Sequence, residues 1–449
     1  MDITAIVLAA GKGTRMKSGR NKMLHDISGM AMLEHTLDTA ENVADRVVCV
    51  VGHQAERVKE AISGREKVDF VRQEEQLGTG HAVKQAESYI SGTGDHFLVM
   101  YGDTPLLKSE TLETLLDSHR SKEAGMSLLT AEVEDPRGYG RILRDERGNI
   151  ERIVEDSDAG EEISSINEIN AGVYIFEGGH LRDVLAGLEN DNIQGEYYLT
   201  DAPEIIYEET SIASSRPESI EEILGVNTRS DLARAEEIMQ KRVKKYHMNK
   251  GVTLKDPDRI YIEKNVEIGR DVTIWPGAVI REGTRIGRQC CIGPNCQLKG
   301  AELAEGVNVK QGSFIIQSSV GANTDVGPYA HLRPGNEIAE SCRIGNFVEI
   351  KKSQVGKASK VPHLSYVGDG IIGEGCNIGA GTIFANYDGE KKHRTELEDG
   401  VFVGSNTTLV APLKLGRKAR TGAGSVVTKD VKAKTTVLGV PARFHCKNE

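Results

Sequence analysis

"IEKNVEIGRDVTIWPGAVIREGTRIGRQCCIGPNCQL", residues 262–298, places an aliphatic side chain at every sixth position. Ile262, Ile268, Ile274, Ile280, Ile286, Ile292 and Leu298 keep that beat, and a small residue often stands four places later, as at Val266, Val272, Ala278 and Thr284. Helices and strands return side chains to one face after about 3.6 and 2 residues, so neither explains the spacing. A parallel β-helix does: three six-residue units make one triangular coil, and the aliphatic residues stack inward. The beat slips by one to Leu303, Val309 and Ile315, then runs from Val320 through Val326, Leu332, Ile338 and Ile344 to Ile350. It returns at Ile372, Ile378 and Phe384, and again from Leu397 through Val403, Leu409, Leu415 and Thr421 to Val427. Cys290, Cys296, Cys342 and Cys376 occupy the small position and read as core packing rather than as metal ligands or nucleophiles. Such a coil has flat faces and exposed ends, so symmetric self-association is expected.

Two stretches interrupt the rhythm. The first is "SQVGKASKVPHLSYVGDG", residues 353–370, and the second is "NYDGEKKHRTELED", residues 386–399. The first is expected to be a loop that leaves the coil and reaches toward a neighbouring subunit, with His363 and Tyr366 on its return.

Residues 1–227 have a different texture. "ITAIVLAA" (3–10), "DRVVCVVG" (45–52), "DHFLVMYGD" (95–103) and "AGVYIFE" (171–177) read as strands, separated by stretches with helical spacing such as "MAMLEHTLDTAE". That alternation predicts an α/β domain with a mostly parallel, covered sheet. Residues 228–250 read as a helical linker, with Leu232, Ala235, Met239, Val243 and Tyr246 on one face, Thr228 or Ser230 as cap, and Gly251 beyond its end. Residues 251–449 form the coil domain.

Composition narrows the function classes. A net charge of −11, spread along the chain, argues against nucleic acid as a bulk partner but not against small anions held locally. The seven cysteines are scattered without a C-x-x-C pair. No basic, apolar leader opens the chain, and no apolar run approaches the roughly 18 residues that span a bilayer. The expectation is a soluble cytoplasmic protein with reduced thiols and no membrane partner.

"LAAGKGTRM", residues 8–16, follows the first strand, where open α/β sheets bind nucleotides. It is neither a P-loop nor a dinucleotide fingerprint: the first Gly of the P-loop is missing, and position 16 is Met where the fingerprint needs Gly. Lys12, Arg15 and Lys22 nearby favour phosphates.

"LAAGKGTRM", "QLGTGHA" (76–82), "YGDTPLL" (101–107), "GYGRI" (138–142), "NEINAG" (167–172) and "GVN" (225–227) together resemble the sugar-1-phosphate nucleotidylyltransferases. "HLRPG" (331–335), "FVEIKKS" (347–353), "HLSYVGD" (363–369), "GCNIGAGTIFANYDG" (375–389) and "KKHRTE" (391–396) resemble an acetyltransferase. The set, in this order, is similar to the bacterial bifunctional N-acetylglucosamine-1-phosphate uridylyltransferase / glucosamine-1-phosphate N-acetyltransferase family. The resemblance implies a Rossmann-like nucleotidyltransferase domain, a long linking helix and a left-handed parallel β-helix, assembled as a homotrimer. It implies Mg²⁺ as cofactor, UTP and acetyl-CoA as cosubstrates, and N-acetylglucosamine-1-phosphate and glucosamine-1-phosphate as the sugar substrates.

The resemblance also implies roles. Asp103 and Asn227 bind the metal. Leu8, Ala9, Ala10, Gly11, Gln73, Gly78 and Thr79 surround uracil and ribose, with Tyr101 and Gly102 beside Asp103. Gly140, Glu155 and Asn170 hold the N-acetyl sugar, and Arg15 and Lys22 meet phosphates. In the second half His363 is the general base that takes the amine's proton, a role suited to imidazole near neutral pH. Arg333, Lys351, Tyr366, Asn377 and Lys392 bind glucosamine-1-phosphate, while Ala380, Asn386, Tyr387, Ser405 and Ala423 line the acetyl-CoA cleft.

Two departures stand out. The family has Pro before the lysine where this chain has Asn21, which is expected to loosen the placement of Lys22. The family ends with an arginine that contacts CoA phosphate, whereas this chain reads "VLGVPARFHCKNE", with Val440 at that place and Arg443 as the replacement. The competing reading is a single-activity nucleotidylyltransferase whose coil serves only assembly; His363 beside Arg333 and Lys351 argues against it.

Overall fold

The computed structural model describes residues 2–90 and 95–445; the last four residues of the quoted tail, 446–449, lie outside the described residues. The chain divides into two compact units, Met1–Met239 and Gln240–Glu449.

The first unit is built on one sheet. Its main path runs Ile212–Ser215, Met126–Glu132, Glu168–Glu177, His96–Tyr101, Ile3–Ala9, Arg46–Val51 and Val68–Arg72. The apolar runs at its centre are buried on both faces: Ala5, Ile6, Val7, Val47 through Val51, and Phe97 through Met100 are each at most 1 % exposed. Such continuous apolar strands fit a sheet covered by helices on both sides. The main path is mostly parallel, as expected, with one exception. Glu168–Glu177 lies in the middle and runs antiparallel to both neighbours, with Val173 opposite Met100 and Tyr174 opposite Leu128. It carries Asn170 and Gly172 to the same sheet edge as Tyr101.

The helix Arg229–Asn249 ends the first unit and begins the second. Thr228 caps it: the Thr228 hydroxyl accepts from Asp231 N–H at 3.2 Å, and the Asp231 carboxylate accepts from the N–H groups of Asn227 and Thr228. Gly251, with φ of 88°, turns the chain out of it. On the second unit's side Gln240 donates to the Ile262 carbonyl and Lys244 to the Pro257 carbonyl, both at 2.7 Å.

The second unit is a parallel coil of three sheets. Strand Thr273–Ile274 pairs with Cys291–Ile292, Val279–Arg281 with Gln297–Lys299, and Arg285–Ile286 with Glu302–Leu303, so residues one coil apart stack directly. Cys290, Cys296, Cys342 and Cys376 are buried, and each sulfur lies 3.0–3.2 Å from a carbonyl on the following coil. Burial pushes the Cys296 thiol up to about 11, which suppresses the reactive thiolate.

The stretch 353–370 does not leave the coil. It forms one complete turn of it: Gln354–Val355, Lys360–His363 and Tyr366–Gly368 join the three sheets, and Val355, Val361 and Val367 fill the core. The beat drops one residue at Ile350–Val355 and again at Val367–Ile372. The segment that departs from the coil is the second one, between Ile383–Ala385 and Thr395–Leu397.

A pair of imidazoles in the first unit, one buried and one half-buried, makes its stability depend on pH. His119, 1 % exposed, bridges His96 at 3.0 Å and the Ser127 hydroxyl at 2.8 Å. Burial, then the charges of His96 and Arg120, push its pKa down to about 4. The unfolded chain takes up that proton near 6.5, so the stabilisation is complete above pH 6.5 and is lost as pH falls toward 4. Replacing His119 by Gln should flatten the fall of the first unit's melting temperature between pH 7 and 4.5, measured by circular dichroism. An unchanged slope would assign the acid sensitivity to other groups.

Candidate active sites

The carboxyl ends of Ile3–Ala9 and His96–Tyr101 open into a cleft of about 660 Å³. Leu8, Ala10, Gly11, Arg15, Lys22, Gln73, Gly78, Thr79, Tyr101, Asp103, Gly140, Glu155, Asn170 and Asn227 line it. Ala9 points into the core at 1 % exposure, and Gly102 serves through its backbone, donating to the Leu8 carbonyl at 2.9 Å. Lys12, Gln76, Tyr139 and Glu196 also line the cleft. The last three were not singled out from sequence, because a lone polar residue on a connection carries no pattern.

Charge meets at one end of this cleft. The Lys22 ammonium lies 2.5 Å from Asp103 Oδ2 and 2.8 Å from Asn227 Oδ1, and Arg15 donates to the same Asn227 oxygen at 2.8 Å. Two oxygen donors from distant segments therefore converge on one cationic point. That donor set fits a hard divalent cation such as Mg²⁺. At the other end Gly140, Asn170 and Glu155 meet: a Cβ on Gly140 would lie 3.7 Å from both Asn170 Cβ and Glu155 Oε2. Burial holds the Glu155 carboxyl above the usual range, and Thr200 donates to it at 2.9 Å.

Between the two ends lies a buried polar chain that the sequence did not announce. Asn170 donates to the Tyr174 hydroxyl at 2.6 Å and accepts from Gly172 N–H at 3.0 Å. Gly172 has φ of 72°, and a Cβ there would sit 2.2 Å from the Tyr101 ring. Gly172→Ala should displace Tyr101, cost about 1–3 kcal/mol of stability, and lower turnover at this cleft well beyond that loss at temperatures where the variant stays folded. Wild-type turnover would show that Tyr101 does not shape the site.

The second site is written along the coil. Asn346 pairs with His363, and the register carries that column on to Ala380, Ser405 and Ala423. A backbone ladder marks it: Leu364 N–H donates to the Asn346 carbonyl, Gly381 to His363, Asn406 to Ala380 and Gly424 to Ser405. His363 is exposed, and its Nδ1 is hydrogen-bonded to Asn346 Oδ1. An amide oxygen can only accept, so Nδ1 carries the proton and Nε2 keeps its lone pair for a substrate. Asn346 was missed in sequence because it stands 17 residues away, one coil back.

Arg333 and Lys351 occupy neighbouring coils, at the ends of strands in register. The like charge of the neighbouring Lys392, then desolvation and the charge of Arg333, hold Lys351 below the usual lysine range. Glu349 engages Arg333 at 2.9 Å. Over Gly368 the Tyr366 hydroxyl and the Asn386 amide converge: a Cβ there would lie 2.6 and 2.7 Å from them. Asn377 pairs with Lys360 and Phe402 on the sheet that carries His363, and Tyr387 is exposed at the start of the departing loop, bridged to Lys392.

Residues 5–166 match the MobA-like NTP transferase domain family, residues 265–300 the bacterial transferase hexapeptide family and residues 394–429 the hexapeptide repeat of succinyl-transferase. Over 95 % of its length the chain is 47 % identical to the bifunctional protein GlmU of Listeria monocytogenes serotype 4b, covering 93 % of that protein. The chain belongs to the bifunctional GlmU family. It is 46 % identical to the GlmU protein of a Geobacillus strain over 95 % of the chain and 93 % of the relative. With GlmU of Clostridioides difficile it shares 45 % identity over 96 % and 94 %. As a GlmU protein it is a bifunctional transferase, with uridylyl transfer in the nucleotidyltransferase half and acetyl transfer in the hexapeptide half. Among the described residues no helix is long and apolar enough to cross a membrane.

Proposed function

We propose that His363, held by Asn346 beside an under-neutralised cluster of Arg333, Lys351 and Lys392, acetylates glucosamine-1-phosphate, and that the cleft around Asp103 then uridylylates the product to UDP-N-acetylglucosamine. The observation that carries the first step is the free Nε2 of His363 in a column that ends in small residues. Nε2 takes the proton of the glucosamine amine as its nitrogen attacks the thioester carbonyl of acetyl-CoA; CoA leaves as thiolate. Arg333 grips the sugar phosphate with a planar fork, and Lys351 and Lys392 add point charges. Tyr366, Asn377 and Asn386 orient the sugar and the acetyl group. Ala380, Ser405 and Ala423 leave a shallow groove for the pantetheine arm, with Tyr387 beside it. The register continues from Ala423 to Gly439, where the hairpin Thr436–Gly439 / Ala442–Phe444 places Arg443 opposite Leu438. Arg443, at that end of the groove, meets a CoA phosphate.

In the cleft Lys22 and Arg15 draw the reacting phosphates together, while Leu8 to Gly11, Gln73, Gly78 and Thr79 seat the uridine. Gly140, Glu155 and Asn170 hold the N-acetyl sugar. Asp103 and Asn227 hold Mg²⁺, which when bound neutralises phosphate charge. The sugar phosphate oxygen attacks the α-phosphorus of UTP, and pyrophosphate leaves. Alignment and charge stabilisation suffice without a covalent intermediate.

The protein works as a cytoplasmic homotrimer. Tyr329, Phe347 and Leu364 form an apolar ridge on successive coils, each half or more exposed, with the two rings stacked 5.5 Å apart. This ridge adjoins the His363 column residue for residue, so a second copy covering it also closes the acetyl-transfer site. Light scattering should find three chains per particle. Phe347→Asp should dissociate them and stop thiol release while pyrophosphate release continues. A fully active monomer would contradict the assembly. The function itself is tested by two assays on wild type: thiol release from acetyl-CoA with glucosamine-1-phosphate, and pyrophosphate release from UTP with N-acetylglucosamine-1-phosphate. Both should proceed, and silence in either removes that half of the proposal.

A further inference from the structure

We infer that Asn21 is a positioning residue for uridylyl transfer, fixing through its buried amide the turn that presents Lys22 to Asp103 and Asn227. The inference rests on the uridylyl-transfer reading of the cleft.

Asn21 is 2 % exposed and directly precedes the short turn Lys22–Leu24. Both ends of its amide are spent on backbone. Oδ1 accepts from Met23 N–H at 2.8 Å, and Nδ2 donates to the His53 carbonyl at 2.6 Å. The Asn21 carbonyl in turn accepts from Leu24 N–H at 3.1 Å, which closes the turn. The same His53 residue donates its N–H to the Ala10 carbonyl at 3.4 Å, and Gly52 approaches so closely that a Cβ there would lie 2.6 Å from that oxygen. The residue at 53 thus ties the glycine-rich loop to the lysine turn, with Asn21 as the second knot. The expected loosening of Lys22 is therefore absent: at φ of −55° the backbone of Asn21 already has the angle a proline ring imposes, held by hydrogen bonds instead.

The lysine is clamped from its other side as well. Gly13 has φ of 62°, and a Cβ on it would be 2.6 Å from Lys22 Cβ. Lys22 is only 7 % exposed, and its ammonium meets Asp103 and Asn227 at the cleft. A shift of the turn moves that ammonium off both oxygens. Removing the Asn21 amide also leaves Met23 N–H and the His53 carbonyl without their partner, which favours such a shift.

The test uses pyrophosphate release by the full chain, with thiol release and thermal melting as controls. Asn21→Ala should lower kcat/KM for N-acetylglucosamine-1-phosphate about tenfold and leave thiol release unchanged. In a Lys22→Ala background the same change should cost less than twofold, because residues acting through one group are not additive. Asn21→Pro should restore most of the loss, since the ring fixes the turn without the amide. Wild-type kcat/KM in Asn21→Ala, full additivity with Lys22→Ala, or no recovery in Asn21→Pro each overturns the inference. A wild-type protein that releases no pyrophosphate overturns instead the reading on which it rests.

Discussion

Asp103→Ala should lower pyrophosphate release about a thousandfold, the scale of losing a preorganised charge at a phosphoryl centre, and leave thiol release from acetyl-CoA within twofold of wild type. The expectation follows from where the carboxylate stands. It stands in the turn after the strand His96–Tyr101 and faces Lys22 at 2.5 Å beside Asn227. Removing it takes away one of two oxygen donors for the cation and releases the ammonium that Asn21 holds in place. Every residue proposed for acetyl transfer lies in the other unit, Gln240–Glu449, so that chemistry should not register the change. Asp103→Asn sharpens the test, because it keeps the shape and one oxygen but not the charge. Comparable loss in both variants attributes the effect to charge; near-normal activity in Asp103→Asn would show that an oxygen at this place suffices without the charge. Loss of both activities together would show that the halves are not independent.

His363→Ala should give the mirror image: thiol release down about a thousandfold, within the range expected for losing a general base, and pyrophosphate release unchanged. The imidazole is exposed and fills no core position, so its loss should not disturb the coil, whose packing at this level is Val361 and Val367. Asn346→Ala separates orientation from proton transfer. It leaves the imidazole in place but frees Nδ1 to accept as well as donate, and about a tenfold loss is expected, in kcat rather than KM. An Asn346 variant as inactive as His363→Ala would point to direct contact with substrate.

The coil was legible because its core repeats. Ile262 through Leu298 fix the period, and the buried cysteines at the small position agree with it. The misreading at 353–370 has a definite origin. Steps of five occur where the chain passes between the same two sheets, from Leu298 to Leu303, Ile315 to Val320, Ile350 to Val355 and Val367 to Ile372. Two such steps close together hide an intact turn. Lys352 and Asp369, both with positive φ, make those corners. The segment holding Lys392 does leave the coil, and there the break in rhythm had its plain meaning. In the first unit the runs of Val and Ile marked the strands, but direction is not written in side chains. The reversed strand Glu168–Glu177 therefore could not be read. Its consequence, a Tyr174–Asn170 link beneath the cleft, joins residues four apart that the break in register between them, at Gly172, brings within reach. Asn21 was legible as a departure and not as a device, since its partner is the backbone of His53, thirty-two residues on.

The central claim is that one chain carries both steps in sequence. It is met most directly by supplying the purified protein with glucosamine-1-phosphate, acetyl-CoA, UTP and Mg²⁺ and following the nucleotide sugar by mass spectrometry. The expected product is UDP-N-acetylglucosamine, with thiol release ahead of pyrophosphate release and almost no pyrophosphate when acetyl-CoA is left out. Unacetylated UDP-glucosamine forming at the same rate without acetyl-CoA, or no thiol release at all, would contradict it.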